Sequence, residues 1–181
     1  MEKNDRQLAQ KLSDSYNRLN LIFHAILAPP LVAFVWLYLE SKSGSISPLL
    51  EDDAMTGIIS LVFPIVVMGL IVGAFFLFKS ALRKVDPVTK LMERMLNYTR
   101  VSIVLFGMLE MGLIFSVVGY YFTQKDIFLA LYFVVLIFFS LYKPTLQRIA
   151  SHLNIKGDER EFLINCRSIA RGEEKEVVAG K

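Results

Sequence analysis

Glu110 and His24 are the two residues of this sequence with the clearest capacity for chemistry, because both lie inside long apolar segments. Glu110 is the one charged residue between Val101 and Phe122. A helix rising about 1.5 Å per residue would carry it roughly 13 Å into that segment. An ionised carboxylate near the middle of a bilayer costs several kcal/mol, so it must be protonated, paired or hydrated. A carboxyl group and an imidazole at such depth can also relay protons or bind a cation.

Four apolar segments must position these two residues. A bilayer core about 30 Å thick needs about 20 apolar residues in a helix, and three of the segments reach that length. The fourth has 16 residues and reaches the interface only if the stem of Lys143 extends it. We therefore predict an all-α membrane protein with four transmembrane helices. The segments are Leu21–Leu39, Gly57–Phe78, Val101–Phe122 and Ile127–Tyr142.

The distribution of basic residues predicts the orientation. Of the 20 Lys and Arg residues, all but Lys42 and Lys125 lie before the first segment, between the second and third, or after the fourth. Cytoplasmic loops carry such an excess, so we expect a multi-pass protein of the bacterial inner membrane with both termini in the cytoplasm. Topology accounts for the positive charge, and no nucleic-acid partner is expected. The polar first eighteen residues predict no cleavable signal peptide.

Amphipathic segments flank the apolar ones. Residues 1–18 repeat apolar side chains such as Leu12 at helical spacing and predict a helix on the cytoplasmic membrane surface. Asp86 is expected to cap a second such helix, and Asp158 to begin a third that runs through about Arg171. The predicted organisation is a surface helix at 1–18, a two-span repeat at 19–85, a second two-span repeat with its surface helix at 86–149, and a cytoplasmic tail at 150–181.

The two halves of the chain align with each other. The alignment is weak in identities, but it keeps the order of the elements and repeats a Tyr-x-Arg motif before a span. Two spans per half make this a parallel repeat of helical hairpins, related by an axis along the membrane normal. The alignment places Tyr16–Tyr38 on Tyr98–Tyr120 and Leu77–Val85 on Leu141–Ile149.

The repeat predicts a shared polar site. Glu110 aligns with Ala28, directly before Pro29 and Pro30. His24 lies four residues before Ala28, so it lies on the same helix face one turn nearer the cytoplasm. We expect His24 and Glu110 to point at a common axis, within reach of a direct or water-mediated contact. That contact either fixes the packing of two spans or forms part of a proton or cation pathway.

Prolines and small residues give further expectations. Proline removes a backbone donor, so helix kinks are expected at each of the three prolines within the spans. Small residues let helices approach closely, and the pair Gly69-xxx-Gly73 predicts contact with a neighbouring span or with a second copy. A stripe on the third segment predicts packing at the bundle centre, whereas the fourth segment is expected to face lipid. The prolines are Pro29, Pro30 and Pro64, and the stripe contains Gly112, Ser116 and Gly119.

Four motifs stand in the second half of the chain: Tyr98-x-Arg100, Leu109-Glu110-x-Gly112, Gly119-Tyr120 and Lys143-Pro144-Thr145. They resemble a family of small four-span bacterial integral membrane proteins, and this resemblance implies no activity. A duplicated hairpin with one midmembrane glutamate also resembles the rotor-ring proteolipids of ATPases. Two features count against the rotor ring: the predicted cytoplasmic termini invert the usual bacterial topology, and its glycine-rich packing helix is absent.

The composition disfavours an enzyme. The chain has two histidines, one cysteine, no clustered metal ligands and no Gly-rich phosphate loop, so we expect no catalysis, no metal and no cofactor. Two functions stay open. One is an accessory or scaffolding subunit of a membrane complex, with the lipid bilayer, other membrane subunits or a second copy as partners. The other is a small proton- or cation-coupled channel or transporter that uses Glu110 with His24.

Overall fold

The computed structural model describes residues 3–50, 52–85 and 89–171. Within these residues the chain forms six α-helices and no β-strand, which confirms the predicted all-α class. The helices are α1 (Lys3–Lys42), α2 (Asp53–Arg83), α3 (Leu91–Thr123), α4 (Asp126–Leu141), α5 (Leu146–His152) and α6 (Gly157–Arg171).

Three helices, α1, α2 and α3, are long and apolar enough to cross a membrane. They contain 40, 31 and 33 residues, whereas about 20 suffice to span the hydrocarbon core. The helical segments predicted before the first and third spans run directly into those spans and form the first turns of α1 and α3. Asp86, which was expected to cap the second of them, lies outside the described residues.

The fourth apolar segment forms a shorter helix than a full span requires. α4 has 16 residues, so it rises about 24 Å. It ends at Leu141 because Pro144 lacks a backbone N–H and disfavours helical conformation in the residue before it. Thr145 then caps α5 by accepting a hydrogen bond from the backbone N–H of Arg148. α4 and α5 together are long and apolar enough for one span, but a bend of 82° separates them.

Contacts divide the chain into two compact units that draw on both halves of the sequence. The amphipathic unit lies within Met1–Leu21, Ala81–Val101 and Pro144–Lys181. The apolar unit consists of Ile22–Ser80 and Ser102–Lys143. This division follows polarity, since the polar ends of α1 and α3 group with α5 and α6. The sequential repeat of two hairpins stays a prediction.

The amphipathic unit covers the apolar faces of its own helices. The first turns of α1 bury Ala9, Leu12 and Leu19, and α6 buries Leu163 and Cys166. The apolar face of residues 1–18, which we expected to lie on the membrane surface, therefore packs against protein. The physical reason is that several amphipathic segments meet in one unit, so their apolar faces bury one another; the position of residues 1–18 on the membrane surface stays a prediction.

The core of the apolar unit is built from aromatic rings. Phe23 packs edge-on against Phe106, with ring centroids 5.1 Å apart. Phe34 stacks on Tyr132 at a centroid distance of 3.9 Å. Such stacking orients helices more sharply than aliphatic contact does, because the quadrupoles of the rings favour particular geometries.

α4 supplies a large part of this core, so the expectation that the fourth segment faces lipid is wrong for one of its faces. Phe128, Tyr132 and Val135 are almost fully buried, whereas Phe133 and Ile137 on the other face are about half exposed. Large side chains can pack at a helix interface when the facing helix supplies small residues, and Gly119 of α3 lies directly against the Phe128 ring.

A turn closes the far end of the apolar unit. Gln124 lies between α3 and α4 and has a positive φ of 51°, which allows the sharp reversal at Thr123–Asp126. Its side-chain amide donates to the carbonyl oxygen of Ile46 at 2.8 Å. The backbone N–H of Leu50 donates to the carbonyl oxygen of Phe122 at 3.2 Å. These bonds tie the loop between α1 and α2 to the turn.

Candidate intramembrane site at Glu110

Glu110 lies on α3 and lines a cavity of about 270 Å³ in the apolar unit. Its side chain is half-buried. The remaining walls carry no ionisable group and come from α1 and α3: Pro29, Pro30, Ala33, Ile114, Val117 and Val118. The carboxyl group is thus the only ionisable group in an otherwise apolar recess.

The sequence explains why α1 leaves room beside Glu110. Pro29 and Pro30 have no backbone N–H, so the carbonyl groups of Ala25 and Ile26 lose their helical donors. Ala33, one turn later, is small. α1 nevertheless continues through both prolines without a break, and the kinks expected at Pro29, Pro30 and Pro64 stay predictions.

No hydrogen bond or ion pair joins Glu110 to any other residue in the described part of the chain. A carboxylate in a low-dielectric environment loses its hydration, and the protein normally compensates with donors or an opposite charge. This chain does not supply that compensation within residues 3–50, 52–85 and 89–171. Glu110 is therefore open to a partner from outside the chain.

His24 does not reach the cavity. Its side chain is exposed and packs edge-on against Phe23, with ring centroids 5.2 Å apart. The direct contact with Glu110 that the repeat predicted is not formed between the two described side chains. The prolines beside Ala28 line the recess, and a water-mediated contact between His24 and Glu110 stays a prediction.

The small residues of α3 lie where helices approach closely. A Cβ atom on Gly112 would lie 3.5 Å from Val67 and Val135, and one on Gly119 would overlap the Phe128 ring. Ser116 is fully buried and donates to the carbonyl oxygen of Gly112 at 2.8 Å. This stripe lets α2 and α4 approach α3.

The two glycines of the predicted contact motif on α2, Gly69 and Gly73, have different surroundings from each other. A Cβ atom on Gly73 would lie 3.3 Å from the terminal methyl of Met108, but one on Gly69 would meet nothing within 4 Å. Gly69 is also exposed. It therefore makes no close helix contact among the described residues, and its predicted role in association with a second copy stays a prediction.

The amphipathic unit contains a second charged centre, Arg94. The sequence alone does not distinguish it from the other basic residues. Arg94 is 3% exposed. Its Nη2 donates to the carbonyl oxygen of Leu153 at 2.7 Å, and its Nη1 lies 3.2 Å from Oε2 of Glu159. The guanidinium thereby binds the C-terminal end of α5, where the helix dipole favours a cation, and also holds the first turn of α6.

His152 and Cys166 are two titratable groups of the same unit whose pKa values are shifted. The Tyr98 hydroxyl and Nδ1 of His152 form a hydrogen bond of 3.3 Å. Partial burial lowers the pKa of His152, and the positive charge of Arg148 lowers it further. Burial raises the pKa of the Cys166 thiol, which has no exposed surface. Both groups therefore favour their neutral forms near pH 7.

Sequence reasoning missed Arg94 and Tyr132. Arg94 occupies a position on an amphipathic helix where a charge normally faces water, and no local pattern distinguishes it from Arg100. Tyr132 is 1% exposed, and its hydroxyl has no hydrogen-bond partner among the described residues. A tyrosine in a Phe-rich segment gives no signal that separates a lipid-facing ring from a buried one.

The described residues contain no group of three or more His, Cys, Asp or Glu side chains that could hold a metal ion. Comparison of the chain with protein-family models, with curated proteins and with solved structures finds no match. The functional argument therefore depends on the chemistry of this chain alone.

Proposed function

We propose that this chain is a polytopic protein of the bacterial inner membrane that serves as an accessory or scaffolding subunit of a membrane complex. Three apolar helices support the membrane location. The observation that carries the subunit role is Glu110, a half-buried carboxyl group in an apolar recess with no partner in the described part of the chain.

A carboxyl group in hydrocarbon favours a donor on another helix. The alternatives are protonation in lipid, which leaves an unfavourable polar group at membrane depth, and contact with water, which the apolar walls of the recess disfavour. Polar side chains between membrane helices contribute about 0.6–2 kcal/mol each to association. A partner helix that places Lys, Arg or an amide in the recess would satisfy Glu110 and cover Ile114 at the same time.

The topology that accompanies this role has four spans, with α4 as the fourth, extended to the interface by the stem of Lys143, and with α5 on the cytoplasmic side. Both termini lie in the cytoplasm, because basic residues concentrate on that side. Cysteine labelling tests this in intact cells, since the native Cys166 is fully buried. Ser43→Cys should react from outside, and Gln147→Cys should react only after permeabilisation. The reverse pattern would overturn the orientation.

The experiment for the subunit role is photocrosslinking in native membranes. A photoreactive amino acid at Ile114, which is 40% exposed and lines the recess, should form one discrete protein adduct. The same group at Phe76, an exposed position of α2 that is not among the residues lining the recess, serves as the matched control. We expect the Ile114 adduct to disappear in Glu110→Leu and to persist in Glu110→Gln. Crosslinking to lipid alone at both positions would refute the proposal.

A proton or cation pathway is the second candidate. It is favoured by the half-exposed position of Glu110, which leaves the carboxyl accessible from the recess. The apolar walls and the position of His24 argue against it, since neither offers a relay. Measurement of proton flux in vesicles reconstituted with the purified chain distinguishes this function from the subunit role. A flux that Glu110→Gln abolishes would favour transport over the scaffold.

A further inference from the structure

The amphipathic unit contains a second cavity, of about 610 Å³, that the role of Glu110 does not use. It opens among the first turns of α1, α3 and α6. Its floor is apolar: Leu91 is buried, and Leu8, Met92 and Phe162 are half-buried. The volume falls within the range of about 300–1,000 Å³ that is typical of ligand sites.

The rim of this cavity is acidic. Asp5, Asp158 and Glu159 face one basic residue, Lys90, and all four side chains are exposed. The ion pair with Arg94 fixes the position of Glu159. Because Arg94 compensates the charge of Glu159, the described rim keeps a net charge of −1 from Asp5 and Asp158 against Lys90, although the whole chain carries a net charge of +3.

We propose that this cavity binds a basic amphipathic peptide segment of a partner protein. Apolar side chains at helical spacing would enter the floor, where the flexible Met92 adapts to their shape. Lys or Arg side chains beside them would meet the carboxylates of the rim. The pairing gives orientation and fast association, since complementary potentials steer the encounter.

Two other occupants fit the charge less well. An anionic membrane surface would be repelled by the acidic rim, which distinguishes this cavity from a lipid-binding face. Residues 172–181 of the chain itself contain three Glu and two Lys, so their net charge has the same sign as the rim.

The test uses the full chain in nanodiscs of zwitterionic phosphatidylcholine, with empty nanodiscs as the background. The probe is a fluorescent 18-residue helical peptide of leucine and lysine, and its counterpart carries glutamate in place of lysine. Fluorescence anisotropy should show the lysine peptide binding at least about tenfold more tightly than the glutamate peptide, with the difference shrinking as salt rises. Equal binding of both peptides, or preference for the glutamate peptide, would overturn the proposal.

Two double charge variants test whether the lysine peptide binds at this cavity. Asp5→Asn with Asp158→Asn removes two rim charges and should weaken binding of the lysine peptide by about tenfold. Asp14→Asn with Glu161→Gln removes two exposed charges of the same unit that do not line the cavity, and it should leave binding unchanged. An equal loss in both double variants would show that net charge, rather than this cavity, attracts the peptide.

Two further measurements keep the result clear if a variant is poorly folded. The Cys166 thiol is fully buried, so its protection from thiol reagents reports an intact unit. In the unmodified chain, a lysine peptide carrying a benzophenone should crosslink to Met92 or Phe162 of the floor. Crosslinking elsewhere on the chain would refute the site without any variant. Binding of anionic lipid vesicles to the unmodified chain in the absence of peptide, with loss of that binding in Asp5→Asn with Asp158→Asn, would overturn the proposal and point to a membrane surface as the occupant.

Discussion

Each of the two units of this protein contains a charged residue in an apolar setting. In one unit the charge has partners among the described residues, and in the other it has none. Arg94 is 3% exposed and binds the carbonyl oxygen of Leu153 and the carboxylate of Glu159. Glu110 is half-buried and has no hydrogen bond or ion pair within the described residues. A charge whose partners lie in the same chain stabilises the fold. A charge whose partners lie elsewhere indicates an interaction, and this contrast carries the proposed function.

The largest effect expected from this contrast is on Arg94. Arg94→Leu would leave the buried carbonyl group of Leu153 without its donor and should destabilise the amphipathic unit by about 3 kcal/mol. The rate of Cys166 labelling should rise about a hundredfold, because local opening exposes the thiol. Glu159→Gln is the control: its side chain is 58% exposed, so its pair with Arg94 contributes at most about 1 kcal/mol. Equal rates of Cys166 labelling in Arg94→Leu and Glu159→Gln would show that Arg94 does not stabilise the unit more than Glu159 does.

A smaller effect is expected from the glycine stripe of the apolar unit. Gly119→Ala would force the Phe128 ring to move and should destabilise the unit by about 1–3 kcal/mol. Gly69→Ala places its methyl group in open space, so the thermal stability of the isolated chain should stay the same or rise slightly. Thermal unfolding in detergent compares the two variants. A loss of stability in Gly69→Ala would mean that Gly69 packs within the chain after all.

A smaller effect still concerns pH. The folded state lowers the pKa of His152 below its ordinary value of 6.5, so the unfolded chain binds a proton more readily. The contribution of neutral His152 to stability is therefore present above about pH 6.5 and is lost as the pH falls. Cys166 labelling should be faster at pH 5 than at pH 7.5 after correction for the intrinsic pH dependence of the reagent. In His152→Gln the corrected difference should be smaller, and an unchanged difference would assign the effect to other groups.

Sequence alone predicted the helical class because apolar runs of this length leave few alternatives. Glu110 stood out for the same reason: a charge in an apolar run is visible without a structure. The burial of Arg94 could not be predicted from the sequence, because it depends on α5 and α6, which follow Arg94 by more than fifty residues. The bend after Leu141 could be inferred from Pro144, but the burial of Phe128 and Tyr132 could not. That burial arises from the approach of Gly119, a tertiary contact that one helix does not encode.

The smallest effect on stability is expected for Glu110→Leu, and this variant is the most informative one. In the isolated chain, Glu110→Leu removes no hydrogen bond or ion pair among the described residues and fills an apolar recess, so thermal stability should not fall. The same variant should abolish the Ile114 photocrosslink in native membranes, whereas Arg94→Leu should lower stability.

The decisive measurement is therefore the unfolding temperature of purified Glu110→Leu in detergent, read beside its photocrosslinking yield. Our account predicts an unfolding temperature equal to or above that of the unmodified chain, together with loss of the adduct. A marked fall in the unfolding temperature with the adduct retained would contradict it, because Glu110 would then stabilise the fold from within.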